Sequence, residues 1–388
     1  PAAVITRIDI CWAVAVGLGL VDNIRAADFQ SLHLLLALDA GEPERVARAL
    51  AVEAGFVATQ GAPRRAKTEE LLAAAEALAG RLGSSHAEAL VALIRGIMHY
   101  HEGDWARARD LAQEAERRLL RHGRGVAWEL STAQLYQSYA CFFLGDLPEL
   151  VERVGRFRRL ARERGNRFAT FIFQSGFGNL SWLIADEPEA AGRAIEEARG
   201  EWQQEGFGIP HYLDMVARAH RSLYLGESWR AWEVVAREWR GLEGSFLPRI
   251  QGIRVNALNL RARCALAQAA VAMQPGRFLD SAERDAHRIL RERMPWSDGL
   301  AWSVLGLAAA ARGDRALGRE RLARAGQLFE RAGMRLHATV ARWRAGQVGG
   351  GPSGVAAADE ARAWLTGAGV AAPDRFARVV LPEPAASR

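Results

Sequence analysis

The stretch Gly61-Ala-Pro-Arg-Arg-Ala66-Lys67-Thr68 comes nearest to a reactive motif. A phosphate-binding loop needs glycines that let backbone N–H groups wrap the anion, a buried strand before it and a helix after it. Here Ala66 stands where the second glycine belongs, and Pro63 removes one donor. The preceding Glu44 to Thr59 reads as helix, so the expectation is a solvated linker between helix pairs. Lys67 is the only lysine in the chain. Protein-kinase chemistry also needs a catalytic-loop aspartate and a metal-binding DFG. Asp28-Phe29-Gln30 lacks that glycine, follows a helix and has no partner motif. His99-x-His101 has metal-ligand types, but two residues apart on a helix point to different faces. HExxH and nucleophile-elbow patterns are absent. No catalytic, cofactor-binding or metal-ligating residue is assigned, and no cofactor is expected.

Cys11, Cys141 and Cys264 lie far apart and form no CxxC pair, so they read as three buried small residues in a reducing compartment. Arginine supplies nearly all the positive charge, yet the net charge is only +6 over 388 residues. Arg and Glu alternate along the helices, as in Glu114 to Arg118 and Arg193 to Glu197. That interleaving argues against the one-sided basic face of a nucleic-acid binder. The apolar run Ile10 to Val21 is too short to span a bilayer and follows Asp9, where a signal peptide carries positive charge. It is expected to be a core helix, and the chain to be cytoplasmic.

The side chains best suited to binding are aromatic. Trp105, Trp182, Trp202, Trp229, Trp232, Trp239, Trp296, Trp302 and Trp343 mostly fall at helix-core phase. Those beside interrupted stretches are better candidates: Trp128 with Glu129 after Gly125, His211 and Tyr212 after Pro210, and Trp296 after Pro295. A concave groove lined by aromatics and arginines suits an extended peptide or a partner helix.

Helices must position these residues. Ala, Leu, Arg and Glu dominate, and β-branched residues are too sparse for a large sheet. In the segment from Gly96 to Gly103-Asp104-Trp105, a small residue sits seven before a Gly-Asp-aromatic turn, and Ala108 and Ala115 follow. The spacing recurs with Gly306 before Gly313-Asp314, followed by Gly318 and Ala325. Ser138 precedes Gly145-Asp146, Ala219 precedes Gly226-Glu227, and Gly178 precedes Ala185-Asp186. A looser copy surrounds Gly41-Glu42-Pro43, with Ala47 and Ala54 after it. Seven residues are about two helical turns, so the small side chain lets the next helix approach to roughly 8–10 Å. Turns at 41, 103, 145, 185, 226 and 313, with one more near Pro275-Gly276, give a period near 40, against about 34 for a tetratricopeptide unit. The expected fold is all-α: an α-solenoid of about seven tetratricopeptide-like antiparallel helix pairs wound as a right-handed superhelix over residues 1–348. Residues 349–388 are expected as a flexible link, a short capping helix near Ala356 to Leu365 and a Pro-containing tail. Pro1 begins without a capping segment, so the chain is expected to be the C-terminal part of a longer protein.

Several segments carry a more specific resemblance. They are Arg7-Ile-Asp-Ile-Cys-Trp12, Gly17-Leu-Gly-Leu-Val-Asp22, Ile24-Arg-Ala-Ala-Asp-Phe29-Gln30, Gly125-Val-Ala-Trp-Glu129, Gly206-Phe207 with His211-Tyr212, and Arg291-Glu-Arg-Met-Pro295-Trp296. Over Ile5 to about Phe376 the chain resembles the C-terminal helical-repeat region of large bacterial serine/threonine protein kinases, in which a kinase domain comes first and a signalling-type ATPase domain second. The resemblance implies a regulatory or sensing arm that is itself not an enzyme, with a protein or peptide partner and the kinase and ATPase domains of its own parent as its contacts. An inducer-binding repeat domain of a large ATP-dependent transcriptional activator is the alternative, although the chain ends in Leu381-Pro-Glu-Pro384 without a helix-turn-helix. A stand-alone enzyme would need carboxylates and histidines converging inside the superhelix.

Overall fold

A computed structural model describes residues 2–19, 22–122, 125–201 and 206–385. Trp202, one of the aromatics named above, lies outside them. Among the described residues the protein is all-α, with twenty α-helices and no strand. In chain order they are α1 (Ala2–Leu18), α2 (Asn23–Ala40), α3 (Pro43–Ala58), α4 (Arg65–Leu82), α5 (Ser85–Glu102), α6 (Trp105–His122), α7 (Ala127–Leu144), α8 (Leu147–Glu163), α9 (Arg167–Gln174) and α10 (Leu180–Ile184). There follow α11 (Pro188–Glu201), α12 (Ile209–Leu225), α13 (Ser228–Gly244), α14 (Gln251–Val271), α15 (Gly276–Leu290), α16 (Pro295–Ala311), α17 (Arg315–Arg331), α18 (Arg335–Gly349), α19 (Gly351–Gly367) and α20 (Pro373–Val380). Helices next to each other in sequence pack as antiparallel pairs, the arrangement of a helical repeat. None of the described helices is long and apolar enough to cross a membrane.

The turn chemistry follows the sequence pattern. At the end of α5, Gly103 adopts a left-handed φ of 84°, which an L side chain resists. Asp104 then accepts a hydrogen bond from the Arg107 N–H at 3.3 Å and caps α6. The seam residues are where two-turn spacing requires them. A Cβ on Gly96 would lie 3.2 Å from the Ala108 carbonyl and 3.3 Å from Leu111 Cβ on α6. One on Gly306 would lie 2.8 Å from Leu322 Cγ and 3.0 Å from the Gly318 carbonyl, so α16 and α17 meet glycine to glycine. Ala47, Ala54, Ala108, Ala115 and Ala219 are fully buried.

Gly178 behaves differently from its expected role. It lies in a 3-10 turn, Gly176–Asn179, that separates α9 from α10. A Cβ there would meet the Phe173 carbonyl at 2.7 Å, so the glycine accommodates a break in its own helix rather than a neighbour. The solvated linker expected from Gly61 to Thr68 is also shorter than the sequence suggests. A 3-10 turn at Ala62–Arg64 runs into α4, a full helix packed against α3 and α5. The seven turns read from the sequence each join two helices, and α1, α4, α9, α18, α19 and α20 are additional to those pairs. At the C-terminal end, the Gly-rich string expected as a flexible link is the start of α19 instead. Gly354 lies so close to Gly346 of α18 that a Cβ on it would collide with the Gly346 carbonyl. The small residues there are a helix seam, and the expected short cap is a full-length helix followed by α20.

The chain divides into two compact units. The first comprises residues 1–140, 207–210 and 242–253, and the second 141–206, 211–241 and 254–388. Cys11, Cys141 and Cys264 are all buried free thiols.

Candidate binding sites

In the first unit the helices bring aromatic side chains together from separate parts of the sequence. Trp12 of α1 meets Trp128 of α7 edge-on, with ring centroids 6.0 Å apart. The Arg48 guanidinium lies 4.9 Å over the Trp12 ring, and the His33 ring is tilted beside it at 5.8 Å. Trp12 and Trp128 are both half-buried, and the Trp128 indole N–H has no hydrogen-bond partner. A second group gathers around Tyr100, whose ring is 5.0 Å from Tyr136, 6.1 Å from Tyr139 and 5.2 Å from Trp105. Tyr136 and Tyr139 are half-buried on α7.

His101 is packed against this second group, 5.5 Å from Tyr100 and 6.5 Å from Tyr136 by ring centroids. Gly252 lies against its imidazole; a Cβ there would be 3.3 Å from Cε1. Neither ring nitrogen of His101 has a hydrogen-bond partner. Burial pulls its pKa down to about 4, so the ring is neutral at pH 7. His99 turns elsewhere, its Nδ1 3.7 Å from Glu102 and 3.5 Å from Asp104. Burial lowers its pKa too, against the opposing pull of Asp104. The two histidines therefore do not converge. Among the described residues no three His, Cys, Asp or Glu side chains are grouped as a metal ion requires.

Trp128 and Glu129, adjacent in sequence, have different partners. Glu129 is buried and lies 2.9 Å from His86 Nε2, whose ring stands 5.2 Å from His122. Deeper in the same unit, Gln134 and Gln137 each donate to the buried Glu116 carboxylate at 2.9 Å. These contacts satisfy buried polar groups, whereas Trp12, Trp128, Tyr136 and Tyr139 are half-buried.

His211, Tyr212 and Trp296 belong to the second unit. His211 is half-buried in the first turn of α12, and Tyr212 beside it is buried near Arg263. Trp296 is buried at the start of α16, edge-on to Phe143 at 6.0 Å. The centre of this unit holds polar groups that the sequence reading did not single out. Arg263 of α14 is buried; it donates to the Val379 carbonyl and lies 3.3 Å from His220 Nε2. Burial lowers its pKa to about 10. Burial and the Arg263 charge also hold the His220 pKa well below the usual value and that of His337 at about 3. The one available signal was the position of Arg263 in an Ala/Leu-rich run, where a charge must find a main-chain or side-chain partner. Trp12, Tyr136 and Tyr139 gave no such signal, because a tryptophan or tyrosine at helix-core phase looks the same whether its outer edge is covered or open.

No family model matches the chain, and no curated protein matches it either. The half-buried rings of Trp12 and Trp128 supply aromatic surface of the kind used in recognition.

Proposed function

We propose that this chain is a non-catalytic protein-interaction and sensing scaffold: a tetratricopeptide-like solenoid acting in the cytoplasm as the regulatory C-terminal arm of a bacterial serine/threonine protein kinase. The observation that carries the binding reading is the half-buried aromatic face of the first unit, where Trp12 and Trp128 meet edge-on and Tyr136 and Tyr139 stand on the same helix as Trp128. Aromatic side chains offer large contact area at small entropic cost and dominate recognition surfaces. The kinase context rests on the segments quoted from the sequence, from Arg7-Ile-Asp-Ile-Cys-Trp12 to Arg291-Glu-Arg-Met-Pro295-Trp296. Partner binding would act by favouring one conformational state of the adjoining kinase or ATPase domain.

Two linked measurements test this. The reading frame upstream of Pro1 should encode a kinase domain followed by an ATPase domain. Those domains, produced separately, should then bind this chain in a titration calorimeter, and Trp128→Ala should weaken binding at least tenfold without lowering helicity. An upstream frame with no kinase domain removes the context. Equal binding by wild type and Trp128→Ala removes the aromatic face.

A further inference from the structure

The second unit buries a positive charge that meets no carboxylate. Two residues before it on α14, Arg261 grips the buried Asp285 through two hydrogen bonds of 2.5 and 2.7 Å, the usual way to compensate a buried guanidinium. Arg263 is buried too, yet no Asp or Glu among the described residues pairs with it. Three of its N–H groups are placed: on the Val379 carbonyl, on the Asn259 carbonyl at 3.4 Å and toward His220 Nε2 at 3.3 Å. A guanidinium carries five, so two have no acceptor. His220 accepts through Nε2, which leaves the ring proton on Nδ1, and that atom is buried without a partner. The Nδ1 atom of His337 is buried without a partner as well.

Aromatic rings connect these polar groups. Phe177 lies 6.0 Å from His220 and stacks on Phe142 at 4.7 Å, and Phe142 stands edge-on to His337 at 5.5 Å. Phe177 reaches this position only because the chain leaves its helix between α9 and α10. Gly176 takes a left-handed φ of 51°, and a Cβ on it would lie 2.7 Å from Leu213 Cδ2. The Asn179 amide fixes the turn by donating to the Gln174 and Ala191 carbonyls at 2.9 and 3.1 Å. Breaks of this kind recur where a side chain must be aimed at a functional site. The group is also not sealed. Phe142 keeps 5%, His337 6%, Arg263 7% and Phe177 8% of their surface, so a space wide enough for solvent reaches each of them.

We propose that Arg263, His220 and His337, with the rings of Phe142 and Phe177, form a binding site for a small monocarboxylic acid with an aromatic or branched apolar body. The chemistry specifies the class. One guanidinium compensates one negative charge, and a planar carboxylate accepts its two remaining N–H groups side by side. The imidazoles are neutral at pH 7 because burial and the Arg263 charge disfavour their protonation, so they add hydrogen bonds without adding charge. A phosphate or a dicarboxylate brings a second negative charge that nothing here balances. The two phenyl rings take the apolar body. A bound acid ties together α7, α12, α14, α18 and the turn between α9 and α10, so the stability of the second unit rises with the acid's concentration. The site shares no residue with the aromatic face of the first unit and does not depend on it.

The test uses the full chain with benzoate, phenylacetate and 4-methylpentanoate as probes, each beside its uncharged amide. Calorimetry gives affinities. Imidazole resonances of histidine-labelled protein, assigned with His220→Gln and His337→Gln, give location. At least one acid should bind at least tenfold more tightly than its amide, shift the His220 and His337 resonances and leave those of His86 and His122 in place. Arg263→Gln should weaken that binding at least tenfold, and Phe177→Ala should weaken the acid and its amide alike. The resonance shifts and the comparison of acid with amide are read on the wild-type chain, so they stand even if Arg263→Gln does not fold. The proposal is overturned if no acid shifts either resonance at concentrations up to about 10 mM. Equal binding of acid and amide, or acid binding undiminished in a folded Arg263→Gln chain, overturns it too. Each of these failures leaves the scaffold reading untouched.

Discussion

Lowering the pH from 7 to 4.5 should destabilise the first unit, and His101 should account for a measurable share of the loss. Its imidazole is buried without a hydrogen-bond partner, and burial alone pulls its pKa to about 4. In the unfolded chain it titrates near 6.5. Between those values the unfolded state binds a proton that the folded state refuses, so stability is complete above about pH 6.5 and declines as the pH falls toward 4. The full gap is worth about 3 kcal/mol, of which about 2 kcal/mol is already lost at pH 5. His33, also buried, has its pKa lowered to about 4 and adds a similar amount in the same unit. Together they approach the ~5–15 kcal/mol by which a domain is stable. Glu102 opposes them, because burial raises its pKa and the folded state takes up that proton first as the pH drops. The His101→Phe variant isolates the imidazole from these other groups and keeps an aromatic ring beside Tyr100 and Tyr136. Urea unfolding followed by circular dichroism at half-unit steps from pH 7.5 to 4.5 gives the slope of stability with pH. The variant's slope below pH 6.5 should fall by nearly one proton. An unchanged slope refutes the reasoning, since it would mean that His101 is already protonated or solvated in the folded chain.

Three further outcomes follow from the same structure. Gly306→Leu should cost roughly 2–4 kcal/mol, because Leu322 and the Gly318 carbonyl fill the space a side chain needs; a thermal unfolding midpoint equal to wild type would contradict the seam. Arg344→Leu should leave the buried Leu381 carbonyl without its donors and destabilise the second unit by about 1–3 kcal/mol, read in chemical unfolding. The isolated chain should release no phosphate from ATP in a coupled assay, and Lys67→Ala should give the same background; turnover abolished by that substitution would restore the Gly61 to Thr68 loop as a nucleotide site.

The helices were legible in the sequence because small residues at two-turn spacing have few other uses. Gly96 and Gly306 fell against their partner helices, and Gly103-Asp104 ended one helix and capped the next. The same signal misled at Gly354, where a glycine-rich string reads equally as a link and as a seam. Only the proximity of Gly346 separates the two. Gly178 misled for a related reason: a glycine at seam phase can also relieve crowding within its own chain. α4 was hidden because its polar first turn and Pro63 resemble a loop. The polar centre around Arg263, His220 and His337 was out of reach, since α12, α14 and α18 are brought together by the fold and no local spacing announces it. Trp128 was singled out for its place after Gly125, but its contact with Trp12 depends on helices more than one hundred residues apart in sequence.

The proposed regulatory role is tested most directly by phosphotransfer in the kinase proposed as the parent, measured with and without residues 1–388. A regulatory arm predicts that its removal changes the autophosphorylation rate several-fold and that Trp128→Ala in the complete protein abolishes the response to a bound partner. Identical rates for the two proteins, with the response retained in the Trp128 variant, would contradict it.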